Sequence, residues 1–288
     1  MEEIIELWKR YLERTKGQRT LDSYVRHLKK FINTFEIQDL EDIKPHILYE
    51  YIDKTDLKPS SILAHLSAAR NFFKFLYRRN YINHNVFSEL ENAIETIREE
   101  LNTKKPPIYP KALSKEEVEH ILQAVKGKKY EKIYTLFLYS GIRLIEFEYL
   151  ERKCFYLDKS GILWIKLEPY MTKRNKGRLV PILGPTRKET FEATKKLLKW
   201  IESFEENFRI KRGILQVYTD RLSKKLNINF SIHSFRHTYI TNLVNQGLPA
   251  EIVKEFAGHS NVRLTIDTYY KYSHRRAEEI VRGFLGFS

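Results

Sequence analysis

The sequence predicts a mostly α protein in two parts, an N-terminal helical bundle and a mainly helical second domain with a small antiparallel β-sheet or hairpin. Three observations carry this. Through the first hundred residues the apolar positions recur in steps of three and four, the spacing of one helix face. The pattern stops at TKKPPIYPK, Thr103 to Lys111, where three prolines stand within five residues. Beyond it, two short strand-like runs interrupt helical periodicity. A chain of 288 residues with 42% hydrophobic content can supply two cores. The expected division is 1–102, a linker 103–111, and 112–288.

Taken in order, Ile4, Ile5, Trp8, Tyr11 and Leu12 form the stripe of a first helix. Leu21, Tyr24, Leu28, Phe31 and Phe35 share one face of a second. A third segment, Asp42 to Lys54, is expected to start with Asp42 as N-cap, whose carboxylate can accept from free backbone N–H groups. A fourth runs from Ser61 to Arg79, with Ile62, Leu66, Ala69, Phe73 and Leu76 inward and His65, Arg70, Lys74 and Arg78 on the outer face. These pieces make a small bundle with basic helix faces. Prolines lack the amide hydrogen and crowd the preceding turn, so no helix continues through the linker. Its lysines, Lys104 and Lys105 among them, suit solvent or a phosphate backbone.

The second domain opens at Ser114, which with Glu117 fits a capping box. Tyr130 to Tyr139 reads as helix, Ser140-Gly141 as a break, and Arg143 to Leu150 as another helix. Ile162 to Leu167 and Arg178 to Ile182 are strand-like and joined by the basic segment MTKRNKG, which predicts a hairpin. Helices dominate from Thr186 onward, and the sequence has no internal repeat.

Composition narrows the partners. The formal net charge is +14, from 51 Lys plus Arg against 37 Asp plus Glu, and the pI is about 9.5. Such an excess favours a polyanion, because each basic group on a phosphate releases condensed counterions; charge alone fits a soluble basic protein equally well. The single cysteine, Cys154, excludes an internal disulfide and a Cys-cluster metal site, and its apolar setting reads as burial. No apolar run approaches the roughly 18 residues of a membrane span. The start, MEEIIELWKR, is acidic and unlike a secretory signal, so a cytoplasmic protein is expected.

The last sixty residues hold the densest chemistry. HSFRH (His233 to His237) opens a helix, Gly247 and Pro249 mark a turn, and a second helix runs into AGHS with His259. DTYYKYSH then places Tyr269, Tyr270 and Tyr272 within four residues. Spacing alone does not say whether these groups converge. The order SGIRLIEF, TKRNKGRLVPI, HSFRH, GHS and a Tyr ten residues after His259 nevertheless resembles the phage integrase and Xer-type tyrosine recombinases across nearly the whole second domain. The first domain is similar to that family's helical core-binding domain, which clamps DNA.

The resemblance implies a set of roles. Arg143 and Arg236 match the two catalytic arginines; guanidiniums stay charged and offer paired donors to the non-bridging oxygens on which negative charge accumulates. Lys173 matches the hairpin lysine that protonates the departing 5′-oxygen, with Arg174 and Lys176 as neighbours that bind phosphate or replace it. His233 and His259 match the two histidine positions, His233 as base and His259 as phosphate donor. His237 reads as structural, and Glu146 as the group orienting a histidine or Arg143. Many members carry the nucleophile nine residues after the GH histidine, where this chain has Thr268; others end in LDTY, so IDTY points to Tyr269. A phenol attacks once deprotonated and leaves again on religation. Tyr272 shares a helix face with Tyr269 and is its rival. Phe235 and Ala257 replace the usual leucines and keep those positions apolar.

The resemblance thus implies a site-specific DNA recombinase working through a covalent 3′-phosphotyrosine, with no metal or nucleotide cofactor. Its partner would be double-stranded DNA bearing a recombination site, held by four protomers, with Lys74, Arg78, Lys104, Lys105, Arg174 and Lys176 as backbone contacts. Integration, excision and dimer resolution stay open. A tail helix with Ile280, Val281, Phe284 and Leu285 would dock on a neighbouring protomer or on its own. The alternatives are a type I topoisomerase sharing the chemistry, a non-catalytic DNA-binding protein of the same fold, and a basic RNA-binding helical protein that leaves the motif series unexplained.

Overall fold

The computed structural model describes residues 1–103, 112–172, 175–203 and 210–259. The chain forms two compact units, Met1–Ile108 and Tyr109–Ser288, which divide inside the proline-rich segment.

The first unit is a bundle of α1 (Glu2–Thr15), α2 (Gln18–Thr34), α3 (Pro45–Asp53), α4 (Pro59–Arg78) and α5 (His84–Thr103). The stripes expected for the first two helices are the ones that turn inward: Trp8 and Leu12 are fully buried, with Leu21, Leu28 and Phe31 beside them. The Trp8 indole N–H donates to Asn71 at 3.0 Å and its ring meets Phe72 edge-on. α3 and α4 each begin at a proline, whose fixed φ and missing N–H suit the first helical position. That preference corrects the third segment. Asp42 does not cap it; the residue closes a separate turn, Leu40–Asp42, and its carboxylate accepts from the N–H groups of Gln38 and Asp39, both at 2.9 Å.

His65 is a second correction. It is buried, sharing a hydrogen bond with the Tyr51 hydroxyl and lying 4.5 Å from the His27 ring. Arg70, on the same predicted outer face, is paired with Glu91 at 2.8 Å. Both depend on distant neighbours. For Arg70 the neighbour is α5, a helix not singled out in the sequence, which lays Leu90, Ile94, Ile97 and Leu101 on the bundle and brings Glu91 within reach. Lys74 and Arg78 do stand exposed on α4. α5 ends at Thr103, one residue inside the predicted linker; Lys104 and Lys105 lie outside the described residues.

The second unit starts at α6 (Lys115–Ala124), with the expected box: Ser114 N–H donates to Glu117 at 2.8 Å and Glu117 N–H returns a bond to Ser114 at 3.2 Å. Next come α7 (Lys129–Ser140) and the single turn α8 (Leu144–Phe147), shorter than the expected Arg143–Leu150 helix. β1 (Phe155–Leu157), β2 (Leu163–Leu167) and β3 (Arg178–Pro181) make an antiparallel sheet in the order β1-β2-β3. The hairpin is the expected one, and β1 adds a third strand, pairing Phe155 with Ile165. The remaining described helices are α9 (Arg187–Glu202), α10 (Arg212–Leu226), α11 (Ile232–Asn245) and α12 (Ala250–Ala257). α7 runs through the core with Ile133, Tyr134, Leu136 and Phe137 buried, packed by α9 and α11, while α12 lies on β3. Cys154 is buried, as expected. Among the described residues no helix is long and apolar enough to cross a membrane.

Candidate active site

Two helix ends build the site. α7 stops at Gly141 in the left-handed region, φ 59°, and any side chain there would also collide with the Tyr239 ring. α12 stops at Gly258, φ 63°, where a Cβ would sit 3.0 Å from the Arg178 guanidinium. The last carbonyls of a helix have no partner inside it and carry the negative end of its dipole. Here three successive carbonyls at the end of α12 are occupied by three arginines from three different elements. Arg178 Nε on β3 donates to Phe256 O at 3.0 Å. Arg236 Nη2 on α11 donates to Ala257 O. Arg143 Nη2, just ahead of α8, donates to Gly258 O at 2.7 Å. Arg236 also donates to Gly141 O at 2.6 Å, so both glycine turns are tied in.

Glu146 lies beneath this row, with a side chain at 0% exposure. Its oxygens accept from Arg178 Nη1 and Nη2, each at 2.8 Å, and from Arg143 Nη1 at 3.0 Å and the Arg143 backbone N–H at 2.7 Å. Burial by itself would raise the carboxyl pKa. The hydrogen bonds and charges of Arg178 and Arg143 outweigh it and hold the group below its usual range. Two guanidiniums thus share this one buried carboxylate, and Arg236 hangs from the adjacent carbonyl, an excess of positive charge suited to an anion.

His233 stands on the first turn of α11, one turn before Arg236, and lines a cleft of about 540 Å³ together with Ile142, Leu144, Val217 and Ser231. His259 follows Gly258 directly. Loss of hydration, then the charges of Arg236 and Arg143, hold both imidazoles below the ordinary 6.5, His259 at about 3. Both rings are therefore neutral at pH 7, the form in which one can accept a proton and the other donate an N–H. His237 meets His233 edge-on at 4.5 Å and is held at about 4 by burial and by the neighbouring His233 and Arg236.

The structure brings Arg143, Glu146, His233, Arg236 and His259 to one place. Lys176 is exposed on the connection between β2 and β3, where its backbone exchanges hydrogen bonds with Thr172 Oγ1. Lys173, Arg174, Tyr269, Tyr270, Tyr272 and the tail helix lie outside the described residues. Arg178 is a site residue that the sequence reading misses, although the sequence holds a signal. It lies two positions from inward-facing Val180 on β3 and so on the same face, where a charge must be buried and must find a counter-ion. Among the described residues no three His, Cys, Asp or Glu side chains converge as metal ligands would.

A mostly helical unit with a three-stranded sheet, three arginines gathered on one helix end and histidines beside them defines the class. The chain matches the phage integrase family over residues 111–276 and the phage integrase N-terminal SAM-like domain over residues 5–80. It belongs to the phage integrase family. It is 29% identical to the tyrosine recombinase XerC of Rickettsia bellii (strain OSU 85-389), covering 96% of this chain and 95% of that one. Its fold is similar to the Tn1549 transposon integrase in complex with transposon right-end DNA, with a TM-score of 0.68 at 16% identity over 98% of this chain and 99% of the other. A lambda integrase tetramer bound to a Holliday junction shares it at a TM-score of 0.67 and 17% identity, over 90% and 77% of the two chains.

Proposed function

We propose that the protein is a site-specific DNA recombinase that cuts and rejoins DNA strands through a 3′-phosphotyrosine on Tyr269. The observation that carries this is the convergence of Arg143 and Arg236, from distant parts of the sequence, on adjacent carbonyls at the end of α12 beside His233 and His259. In the reaction Tyr269 loses its phenolic proton to His233 and its oxygen attacks the scissile phosphorus. The bond to the 5′-oxygen breaks and Lys173 supplies that oxygen with a proton. Arg143, Arg236 and the His259 N–H take up charge on the non-bridging oxygens. Religation reverses each transfer, so bond energy is conserved. The first unit serves as the core-binding domain, with Lys74 and Arg78 on the DNA backbone, and four protomers act on two sites. The relatives support this, being a tyrosine recombinase, an integrase on transposon DNA and an integrase tetramer on a Holliday junction.

The test is incubation with a nicked duplex that traps the covalent complex, then mapping of the DNA-linked residue. The expected adduct is on Tyr269, and Tyr269→Phe should abolish it with DNA binding nearly intact. An adduct on Tyr270 or Tyr272 would overturn the nucleophile, and no adduct with any substrate would overturn the enzyme. Relaxation of supercoiled DNA without synapsis would favour the topoisomerase reading.

A further inference from the structure

The chemistry proposed above uses Arg143 and Arg236 and gives Arg178 no task. We propose that Arg178 is a positioning residue that keeps the charge of Arg143 available to the scissile phosphate by occupying Glu146 in its place. The inference rests on the strand-cleaving reading.

Arg178 is not placed to touch DNA. Its side chain is 4% exposed, against 28% for Arg143, and all three of its guanidinium nitrogens are engaged, Nε on Phe256 O and both Nη on Glu146. Arg143, by contrast, gives one nitrogen to Gly258 O and shares only Oε1 of Glu146 through another. A guanidinium carries five N–H donors in a rigid fork, so a partly exposed Arg143 keeps donors for an incoming phosphate.

The charge count gives the reason. Two guanidiniums on one carboxylate leave one net positive charge, and Arg178 holds the better geometry, a two-bond fork at 2.8 Å. Without Arg178 the buried carboxylate would face Arg143 alone. It would draw that guanidinium into a closed pair and cancel the charge the reaction needs. Arg178 thereby acts on the phosphate through Glu146 and Arg143, and its bond to Phe256 O fixes the row of carbonyls from which all three arginines hang.

The experiment compares Arg178→Met, Arg178→Lys and the double variant Arg178→Met/Glu146→Gln for covalent complex formation, on a native nicked duplex and on one with a neutral methylphosphonate at the scissile position. Arg178→Met should cut the native substrate about 10²-fold more slowly, the size of a lost charge-stabilising donor. It should cut the methylphosphonate, which has lost the charge Arg143 would stabilise, within a few-fold of the unsubstituted protein. Removing Glu146 as well takes away the competitor, so the double variant should regain about tenfold on the native substrate. Arg178→Lys keeps a cation but not the fork and should show the same pattern in weaker form, which carries the test if Arg178→Met does not fold. Equal losses on both substrates, or no loss in either single variant, would overturn the inference while leaving the recombinase reading intact. An unsubstituted protein that forms no adduct would overturn the reading itself.

Discussion

Replacing Glu146 by glutamine exchanges one carboxylate oxygen for an NH₂ and should be among the most destabilising conservative substitutions available. Glu146 is fully buried and takes four hydrogen bonds, three from guanidinium nitrogens and one from the backbone. Glutamine keeps the shape, but its NH₂ would point at a donor, and Arg178, 4% exposed, would lose its counter-ion. Removing one partner of a buried ion pair costs about 3–5 kcal/mol. For a domain of 150–250 residues each kcal/mol lowers Tm by roughly 2–4 °C, so a fall of about 6–20 °C is expected. The assay is thermal unfolding monitored by circular dichroism, with the second unit's transition resolved. The variant should also lose part of the acid limb. A carboxyl whose pKa is lowered on folding contributes stability above its unfolded value of 4.5, and that contribution is lost as pH falls through the folded value. The glutamine variant has no such group to titrate. A fall of less than about 3 °C at pH 7 would refute the claim that Arg178 depends on Glu146 for its charge balance.

Lys173→Ala should slow cleavage of a normal phosphodiester ~10²–10⁴-fold, while a substrate with sulfur at the 5′-bridging position should largely escape, because a thiolate leaves unprotonated. Equal defects on both would move the acid elsewhere, with Lys176 the first residue to test. His65 should make the first unit acid-sensitive. Burial, then the charges of His27, Lys30 and Arg26, lower its pKa from 6.5 to about 4, so the unfolded chain gains a proton the folded one refuses. Stability is full above pH 6.5 and should fall by up to about 3 kcal/mol towards pH 4. Urea unfolding of the full chain between pH 7 and 4.5 measures this, and a slope unchanged in His65→Gln would exclude His65 as the source.

Helix existence is legible wherever one face alone is apolar, as at Trp8, Leu12, Leu21 and Leu28. Helix ends are legible where a local device sets them, as at Ser114 with Glu117 or at Gly141. Anything decided by a partner distant in sequence is not. His65 looks polar and therefore outward until Tyr51 and His27 are beside it, and Arg70 looks like a free cation until Glu91 arrives from α5. The site divides in the same way. Motif order picks out Arg143, His233, Arg236 and His259 as candidates, because each sits in a short stretch of distinctive residues. Arg178 sits in another stretch of the series, TKRNKGRLVPI, yet its placement depends on Glu146, 32 residues away, and on a carbonyl 78 residues away. Carbonyls do not show in a sequence at all.

Those hidden carbonyls bear on affinity. A long arginine side chain loses about 1.5–2 kcal/mol of rotamer freedom when it is fixed in one place. For Arg143 and Arg236, the two proposed to meet the phosphate, such losses would normally fall on the binding step and weaken it. In this molecule main-chain oxygens of Phe256, Ala257 and Gly258 hold the guanidiniums in the absence of any ligand, so on the proposed reading the entropic cost is met in folding and a phosphate would enter a preformed cradle. Because the acceptors are backbone atoms, no particular side chain at 256 or 257 is needed to supply them; what holds those two residues is packing, Ala257 in a buried apolar cluster and Phe256 against it. The constraint falls instead on the path of the chain, and it is felt most at Gly258, where the left-handed turn leaves no room for a Cβ.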